Sequence, residues 1–170
     1  MKNTFFLIVA LVLGLLSCKK NVNVYESCCG TQPLMTKVGN VSLYVPNAFT
    51  PNYDGINDFI WIFTSGTVGQ ISDFIIKNNK GVEVWRSTNP ILPNDRFMTG
   101  TEQDKIPEGA LTYTFKITQP NGTIVNLQGS VCKNSSKDVD CAGKNKGCFF
   151  GDQNDNGVLD KTIPNSESCK

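Results

Sequence analysis

Two short oxygen-rich loops carry the residues best suited to chemistry in this sequence. In the first loop, Asn52, Asp54 and Asp58 occupy relative positions 1, 3 and 7. Gly55 allows the backbone to reverse, and the carbonyl of Ile56 falls at position 5. Carboxylates, side-chain amides and backbone carbonyls in this alternation are ligands that Ca²⁺ prefers. The spacing therefore predicts a calcium site, and the alternative is a plain Asn/Asp/Gly turn whose side chains bond their own backbone.

The second loop lies near the end of the chain and has a similar spacing. Its candidate ligands are Asp152, Asn154, Asn156, the carbonyl of Val158, and Asp160. Gly157 takes the sixth position, where calcium loops turn sharply. An EF-hand would need an acid at position 12, where Ile163 stands, so the loop is closer to the Asp/Asn/Gly calcium loops of bacterial surface adhesins. One or two calcium ions are therefore expected, with a solvated Asn/Gly turn between Cys148 and Cys169 as the alternative for this loop.

Catalysis finds little support in the sequence. The chain has no His to serve as a base, and it contains no Gly-x-Ser-x-Gly motif and no phosphate-binding loop. Its 16 basic and 15 acidic residues nearly balance, which excludes the clustered basic surface of a nucleic-acid-binding protein. We therefore expect a protein that is not an enzyme.

The first residues have the pattern of an export signal. Lys2 precedes the apolar run Phe5–Leu16, which is too short to span a bilayer. The sequence Leu-Leu-Ser-Cys that closes this run resembles the bacterial lipobox, in which the cysteine carries a covalent lipid. We interpret residues 1–17 as a lipoprotein signal peptide and Cys18 as the lipidated residue. The alternative is an ordinary secretory signal followed by an incidental cysteine.

Six further cysteines indicate disulfides in an oxidising compartment. They are Cys28, Cys29, Cys132, Cys141, Cys148 and Cys169. Three bridges are the simplest use of six cysteines in an exported protein, although fifteen pairings are possible. A zinc site is the competing use, but the chain lacks both His and a Cys-x-x-Cys pair. Because no cysteine lies between residues 30 and 131, the bridges must tie the N-terminal tether to the C-terminal tail or close the tail on itself.

The elements that position these loops are predicted to be short strands. Apolar or alternating runs between turn signals indicate an all-β sandwich. The runs are Val41–Val45, Phe59–Phe63, the hairpin of Phe74–Lys77 with Val82–Arg86, Leu111–Thr118, and Thr123–Val131. Aromatic side chains expected in the core are Trp61, Phe63, Phe74, Trp85, Tyr113 and Phe115. For Trp85 the alternative is an exposed platform that stacks on a sugar.

The segment Val45–Asp58 also resembles the opening of a known family. It is similar to the gliding-motility-associated C-terminal domain, the type B sorting domain of type IX secretion in Bacteroidota. The match continues in Phe74–Arg86, Ile106–Gly109, Leu111–Ile117 and Gly129–Val131, and covers about residues 41–132. The resemblance implies an immunoglobulin-like sandwich and an outer-membrane setting. It also implies a calcium role for Asn52, Asp54, Asn57 and Asp58.

The expected organisation is a signal peptide over residues 1–17, a lipid-anchored tether over 18–40, the sandwich over 41–132 and a Cys-rich tail over 133–170. The fold class is all-β, an immunoglobulin-like antiparallel β-sandwich with a disulfide-rich, calcium-loop C-terminal extension. The family domain normally ends its polypeptide as an export address, whereas here the tail follows it and the lipobox already supplies a route out of the cytoplasm.

The domain is therefore interpreted as retained for binding or scaffolding. We expect an outer-membrane lipoprotein, at the cell surface rather than the periplasmic face, that is an accessory or scaffold subunit of a β-barrel complex. Its expected partners are the β-barrel protein and associated lipoproteins. The complex would serve protein assembly, secretion, gliding or nutrient uptake. The alternative is a surface adhesin or carbohydrate-binding module.

Overall fold

The computed structural model describes Cys28 and residues 31–53, 55, 57–87, 89–95, 98, 100–135 and 154–159. These residues form strands and one short helix, α1 (Gly100–Gln103). The strands are β1 (Leu34–Val38), β2 (Val41–Val45), β3 (Ala48–Phe49), β4 (Phe63–Thr64), β5 (Gln70–Lys77), β6 (Glu83–Ser87), β7 (Gly109–Thr118), β8 (Ile124–Lys133), β9 (Asn154–Asp155) and β10 (Val158–Leu159). The prediction of an all-β protein is confirmed for this part of the chain.

Strands β1 to β8 form two sheets. One sheet has the order β1-β2-β4, and the other has the order β3-β8-β7-β5-β6. Neighbouring strands run antiparallel except for β3, which pairs parallel with β8 through Ala48 and Cys132. The strands β9 and β10 form a separate two-stranded hairpin. The segment Val45–Asp58, which contains β3, therefore lies beside β8.

One hydrophobic core joins the two sheets. It contains Leu43 and Val45 of β2 together with Phe74, Tyr113 and Phe115 of the larger sheet. The ring of Phe74 stacks against those of Tyr113 and Phe115, with centroids 5.3 and 5.5 Å away. Strand β7 alternates buried and more exposed residues along its length, as expected for a strand with one face on a core. Burying each of these large side chains stabilises the fold by about 2 to 3 kcal/mol.

The prediction that Trp61 and Phe63 lie in the core is wrong. Both side chains are half-buried and lie outside the core cluster, while Ile60 and Ile62, which precede them in turn, are fully buried. The two aromatic rings stack on each other with centroids 5.8 Å apart. The predicted strand Phe59–Phe63 is also shorter, because only its last residue pairs within β4. All five residues of Phe59–Phe63 are apolar, so the sequence does not show which of their side chains point inward.

Trp85 lies in the core, as predicted, and does not form an exposed platform. It is 9% exposed and meets the ring of Phe74 edge-on at 6.2 Å. Its hairpin also forms as predicted, with β5 and β6 paired antiparallel. The loop is closed by Asn78, whose side-chain oxygen accepts the N–H groups of Lys80 and Val82 at 2.9 and 3.0 Å. Gly81 completes the turn with a φ of 77°.

The segment expected to be an extended tether contributes a strand. Residues Leu34–Val38 pair with β2 across a turn that contains Gly39, with Leu34 opposite Val45. This strand has little hydrophobic periodicity because it is an edge strand, and Met35 is 55% exposed. The sandwich-like region therefore begins before Val41.

The disulfide among the described residues joins the predicted tether to the last residue of the predicted sandwich, not to the tail. Cys28 is bonded to Cys132, 104 residues further along the chain, and both side chains are fully buried. The bridge links the segment before β1 to the end of β8. Cys18, Cys29, Cys141, Cys148 and Cys169 lie outside the described residues, so lipidation and the other bridges stay predictions.

Gly129 is expected to be intolerant of substitution. A Cβ atom at this position would overlap the Tyr113 hydroxyl and lie 2.5 Å from the Cζ atom of that ring, which is packed in the core. We expect Gly129→Ala to lower the free energy of unfolding by about 2 kcal/mol, because the core must shift to admit it. Urea denaturation checks this value.

A matched control is Tyr113→Phe. The Tyr113 hydroxyl is buried and has no hydrogen-bond partner among the described residues, so its removal should leave stability unchanged or slightly raised. A Gly129→Ala variant as stable as the wild-type protein would contradict the close packing of the Tyr113 ring on Gly129.

Candidate functional site

The first oxygen-rich loop is a tight structure that follows β3. Three of its residues have left-handed backbone conformations: Tyr53, Gly55 and Asn57 have φ values of 64°, 88° and 50°. Such a conformation is unusual for a residue as bulky as Tyr53, so the loop must be held by its surroundings. The N–H of Thr50 donates to the carbonyl of Asn57 at 2.7 Å and closes the loop at its base.

Asp58 holds the centre of this loop. Its Oδ1 atom accepts the backbone N–H groups of Asn52 and Tyr53 at 3.1 and 2.8 Å, and its Oδ2 atom accepts that of Gly55 at 2.9 Å. The residue is 6% exposed. Hydrogen bonds to an ionised carboxylate are stronger than neutral ones, so these three fix the left-handed path of the backbone. All three donors belong to the loop itself. This is the arrangement expected for a plain Asn/Asp/Gly turn, the alternative to a calcium site.

Tyr53 connects the loop to the segment after α1. Its hydroxyl donates to the carboxylate of Asp104 and lies 2.7 Å from each oxygen. This hydrogen bond is the main reason that the pKa of Tyr53 is raised, with desolvation second. The side chain is 62% exposed, so the contact lies in solvent and orients the loop more than it stabilises the fold.

Only part of the predicted first calcium site can be placed. The structure brings Asn52, Asn57 and Asp58 into one loop, while Asp54 and Ile56 lie outside the described residues. Within the described ranges, no group of three or more Cys, Asp or Glu residues is arranged to hold a metal ion. The three N–H donors account for both oxygens of Asp58 without a cation. Calcium binding at this loop stays a prediction.

The described part of the second oxygen-rich loop is a two-residue hairpin. Asn156 and Gly157 form its turn with φ values of 47° and 75°, the conformation that Asn-Gly adopts between paired strands. The Asn156 amide donates to the Asp155 carboxylate at 2.9 Å. Asn154 and Val158 lie in the paired strands, and the two predicted carboxylate ligands, Asp152 and Asp160, lie outside the described residues. Calcium binding by this loop also stays a prediction.

This hairpin rests on the smaller sheet. Gly157 is buried, and a Cβ there would lie 2.6 Å from the carbonyl oxygen of Ser42 and 2.8 Å from the amide nitrogen of Ser65. These two serines are themselves hydrogen-bonded to each other, at the end where β2 and β4 pair. Only a glycine fits so close to this backbone. Gly157, at the sixth position of the loop pattern, is therefore also a packing residue.

A residue that the sequence analysis missed secures the base of the first loop. Asn47 is fully buried; its amide donates to the carbonyl of Thr31 at 3.0 Å, and its carbonyl accepts the N–H of Cys132 at 2.7 Å. The Thr31 hydroxyl donates to the carbonyl of Cys28 at 2.8 Å. Asn47 thus joins the two segments that the disulfide joins. Its position directly after Pro46 gave no signal of this role, since its partners are remote in sequence.

Lys133 is a second missed residue, at the end of β8. It is 4% exposed, and its Nζ atom donates to the carbonyl of Ile106 at 2.7 Å and lies 3.5 Å from Glu108. The other Glu108 oxygen accepts the N–H of Ser135 at 2.9 Å. A buried lysine needs such partners, so the last strand is also pinned to the segment before β7.

One family model matches the part of the chain that contains most of these elements. The model of the CHU_C Type IX secretion signal domain matches residues 43–132, just over half of the chain. The chain belongs to this family. The matched type IX secretion signal domain begins within β2 and ends at Cys132, the cysteine bonded to Cys28. No curated protein and no solved structure gave a match to the chain.

Membership confirms the resemblance found in the sequence. A type IX secretion signal domain indicates a secretion-related protein of the Bacteroidota that is secreted or located at the cell surface. The first oxygen-rich loop and Asn47 lie within the domain, whereas Cys28, β1 and the hairpin of β9 and β10 lie outside it. No helix among the described residues is long and apolar enough to cross a membrane.

Proposed function

We propose that this protein is a non-enzymatic, lipid-anchored scaffold or accessory subunit of an outer-membrane β-barrel complex at the cell surface. Its type IX secretion signal domain would be an immunoglobulin-like sandwich that is retained as a packing module. The anchor would be a lipid on Cys18, and calcium would stabilise one or both oxygen-rich loops. Partners would be the β-barrel protein and its associated lipoproteins.

The observation that carries this proposal is that flanking segments cover the domain on both sides. Before it, Cys28 is bonded to the last residue of the family match, and β1 extends the smaller sheet. After it, Gly157 packs on Ser42 and Ser65 of that sheet. A domain that is joined to segments on both sides in this way differs from an export address at the end of a polypeptide. It is better suited to a permanent part of a larger assembly.

The absence of His from the sequence supports the non-enzymatic part of the proposal. Among the described residues, Asp73 pairs with Lys116 at 2.9 Å and Glu83 with Arg86 at 2.7 Å. These pairs are solvated and have the character of surface ion pairs. A scaffold requires no more than a stable fold and contact surfaces.

Affinity purification tests the proposal. A tagged full-length chain is purified from native membranes in mild detergent, and co-purifying proteins are identified by mass spectrometry. We expect a stoichiometric β-barrel partner with the wild-type chain. The matched control is Cys18→Ser, which should leave the membrane fraction and lose the partner. Recovery of the wild-type chain alone would contradict the subunit role, and membrane retention of Cys18→Ser would contradict the lipid anchor.

A further inference from the structure

The outer face of the larger sheet carries a groove that the proposed function does not use. Its volume is about 500 Å³. Most of the side chains that line it alternate with the core residues of β5, β7 and β8 and therefore point away from the core. These are Asp73, Ile75, Arg86, Thr114, Lys116, Asn126 and Gln128, and the core-packed residues Phe115 and Leu127 also border the groove.

The register of the sheet arranges these side chains in two rows. Ile75 lies opposite Arg86 on one side and Thr114 on the other, and Thr114 lies opposite Gln128. This first row crosses four strands and so is about 14 Å long, at about 4.8 Å between strands. In the second row, Lys116 lies opposite Ser72 and Asn126. A bulge in β5 between Ser72 and Ile75 places the Asp73 carboxylate beside Lys116.

The charges of the groove are already balanced within the protein. Arg86 makes a bidentate contact with Glu83, with its Nε and Nη2 atoms 2.9 and 2.7 Å from the two carboxylate oxygens. Lys116 is paired with Asp73 at 2.9 Å. Because each cation already faces a carboxylate, the groove offers little net positive charge to attract an anionic ligand. The groove is therefore suited to a neutral ligand.

The remaining polar groups are well matched to hydroxyls. Thr114, Asn126 and Gln128 line the groove, and the side chains of Asn126 and Gln128 are exposed. A hydroxyl and two primary amides can each donate and accept, which is also the capacity of a sugar hydroxyl. Ile75 supplies an apolar patch between them for the C–H face of a ring. An extended peptide would instead pair along the backbone of the edge strand β6 and would not need to lie across the strands.

We propose that this groove binds a neutral glycan chain of a few sugar units. The ligand would lie across β6, β5, β7 and β8, with its hydroxyls on Thr114, Asn126 and Gln128 and one ring over Ile75. This inference does not depend on the lipid anchor or on a β-barrel partner. It would give the protein a contact with surface polysaccharide in addition to any protein contact.

Isothermal titration calorimetry of the full-length chain tests the groove. The probes are the hexasaccharides of cellulose, mannan, maltodextrin and chitin, with hexagalacturonate as an anionic comparison. We expect at least one neutral hexasaccharide to bind and hexagalacturonate to bind more weakly. The double variant Asn126→Ala/Gln128→Ala should weaken the neutral ligand at least tenfold.

The matched control is Gln70→Ala, an exposed glutamine on the same sheet that does not line the groove. It should bind the glycan as the wild-type chain does. Thermal unfolding of all variants should coincide, because the substituted side chains are exposed. Failure of all four neutral probes to bind, or unchanged affinity in the double variant, would overturn the inference.

Discussion

Removing the Cys28–Cys132 bridge is expected to lower the free energy of unfolding by about 4 kcal/mol. The bridge closes a segment of 104 residues, and cross-linking so long a loop restricts the unfolded chain strongly. Both sulfurs are buried, so their replacement also leaves unfilled space in the folded state. The variant Cys28→Ala/Cys132→Ala removes both partners and avoids a single cysteine that can pair elsewhere. Guanidinium denaturation under non-reducing conditions measures the loss.

Two further measurements make this prediction specific. Mass spectrometry of a non-reduced digest should find one peptide pair that contains Cys28 and Cys132 in the wild-type protein. The control Cys148→Ala/Cys169→Ala removes two cysteines of the tail and should change the unfolding of the sheets much less. A double variant at residues 28 and 132 that unfolds within about 1 kcal/mol of the wild-type protein would show that the bridge adds little to stability.

Asp58→Ala is expected to cost about 3 kcal/mol. The carboxylate accepts three backbone N–H groups of the loop, and its loss removes this shared acceptor in a partly buried setting, although the N–H of Asn52 also donates to the Thr50 carbonyl at 2.7 Å. The left-handed conformations of Tyr53 and Gly55 would then lose the hydrogen bonds that help to maintain them. Urea denaturation in EDTA and again with millimolar calcium measures the effect. Because the hydrogen bonds lie within the chain, the destabilisation should appear in both buffers.

Controls separate the role of Asp58 in the loop from a role in calcium binding. Asp104→Ala removes only the exposed partner of Tyr53 and should cost less than about 1 kcal/mol. If calcium stabilises the wild-type chain but not Asp58→Ala, the carboxylate also serves the cation, as the spacing predicts. A loss in Asp58→Ala that is confined to the calcium buffer would contradict the hydrogen-bonding role.

The strands that alternate regularly were predictable from the sequence. In β7, residues from Leu111 to Ile117 follow a period of two, and this period is a property of the strand itself. The hairpin around Asn78 was predictable for the same reason, since its turn residues and its strands are neighbours in the chain. The edge strand β1 was not, because its stability comes from pairing with β2 rather than from its own pattern.

The candidate site was predictable in position but only partly in chemistry. The motif from Val45 to Asp58 identified the loop and the family, yet the same spacing fits a calcium loop and an Asx-type turn. The partners of Asp58 are backbone N–H groups, which every sequence has and no motif reveals. The partner of Cys28 was equally hidden, because the pairing depends on how the fold brings β8 beside Asn47.

The parallel pairing of β3 with β8 bears on the order in which the domain folds during export. Ala48 emerges early from a chain that crosses the membrane N-terminus first, whereas Cys132, its neighbour in the sheet, emerges after nearly all of the domain. The contact is therefore among the least local in the fold, and such contacts form late and slowly. Until then β3 lacks its partner strand. Because no cysteine lies between residues 30 and 131, the bridge to Cys28 can close only after β8 has emerged, so the disulfide fixes the domain last.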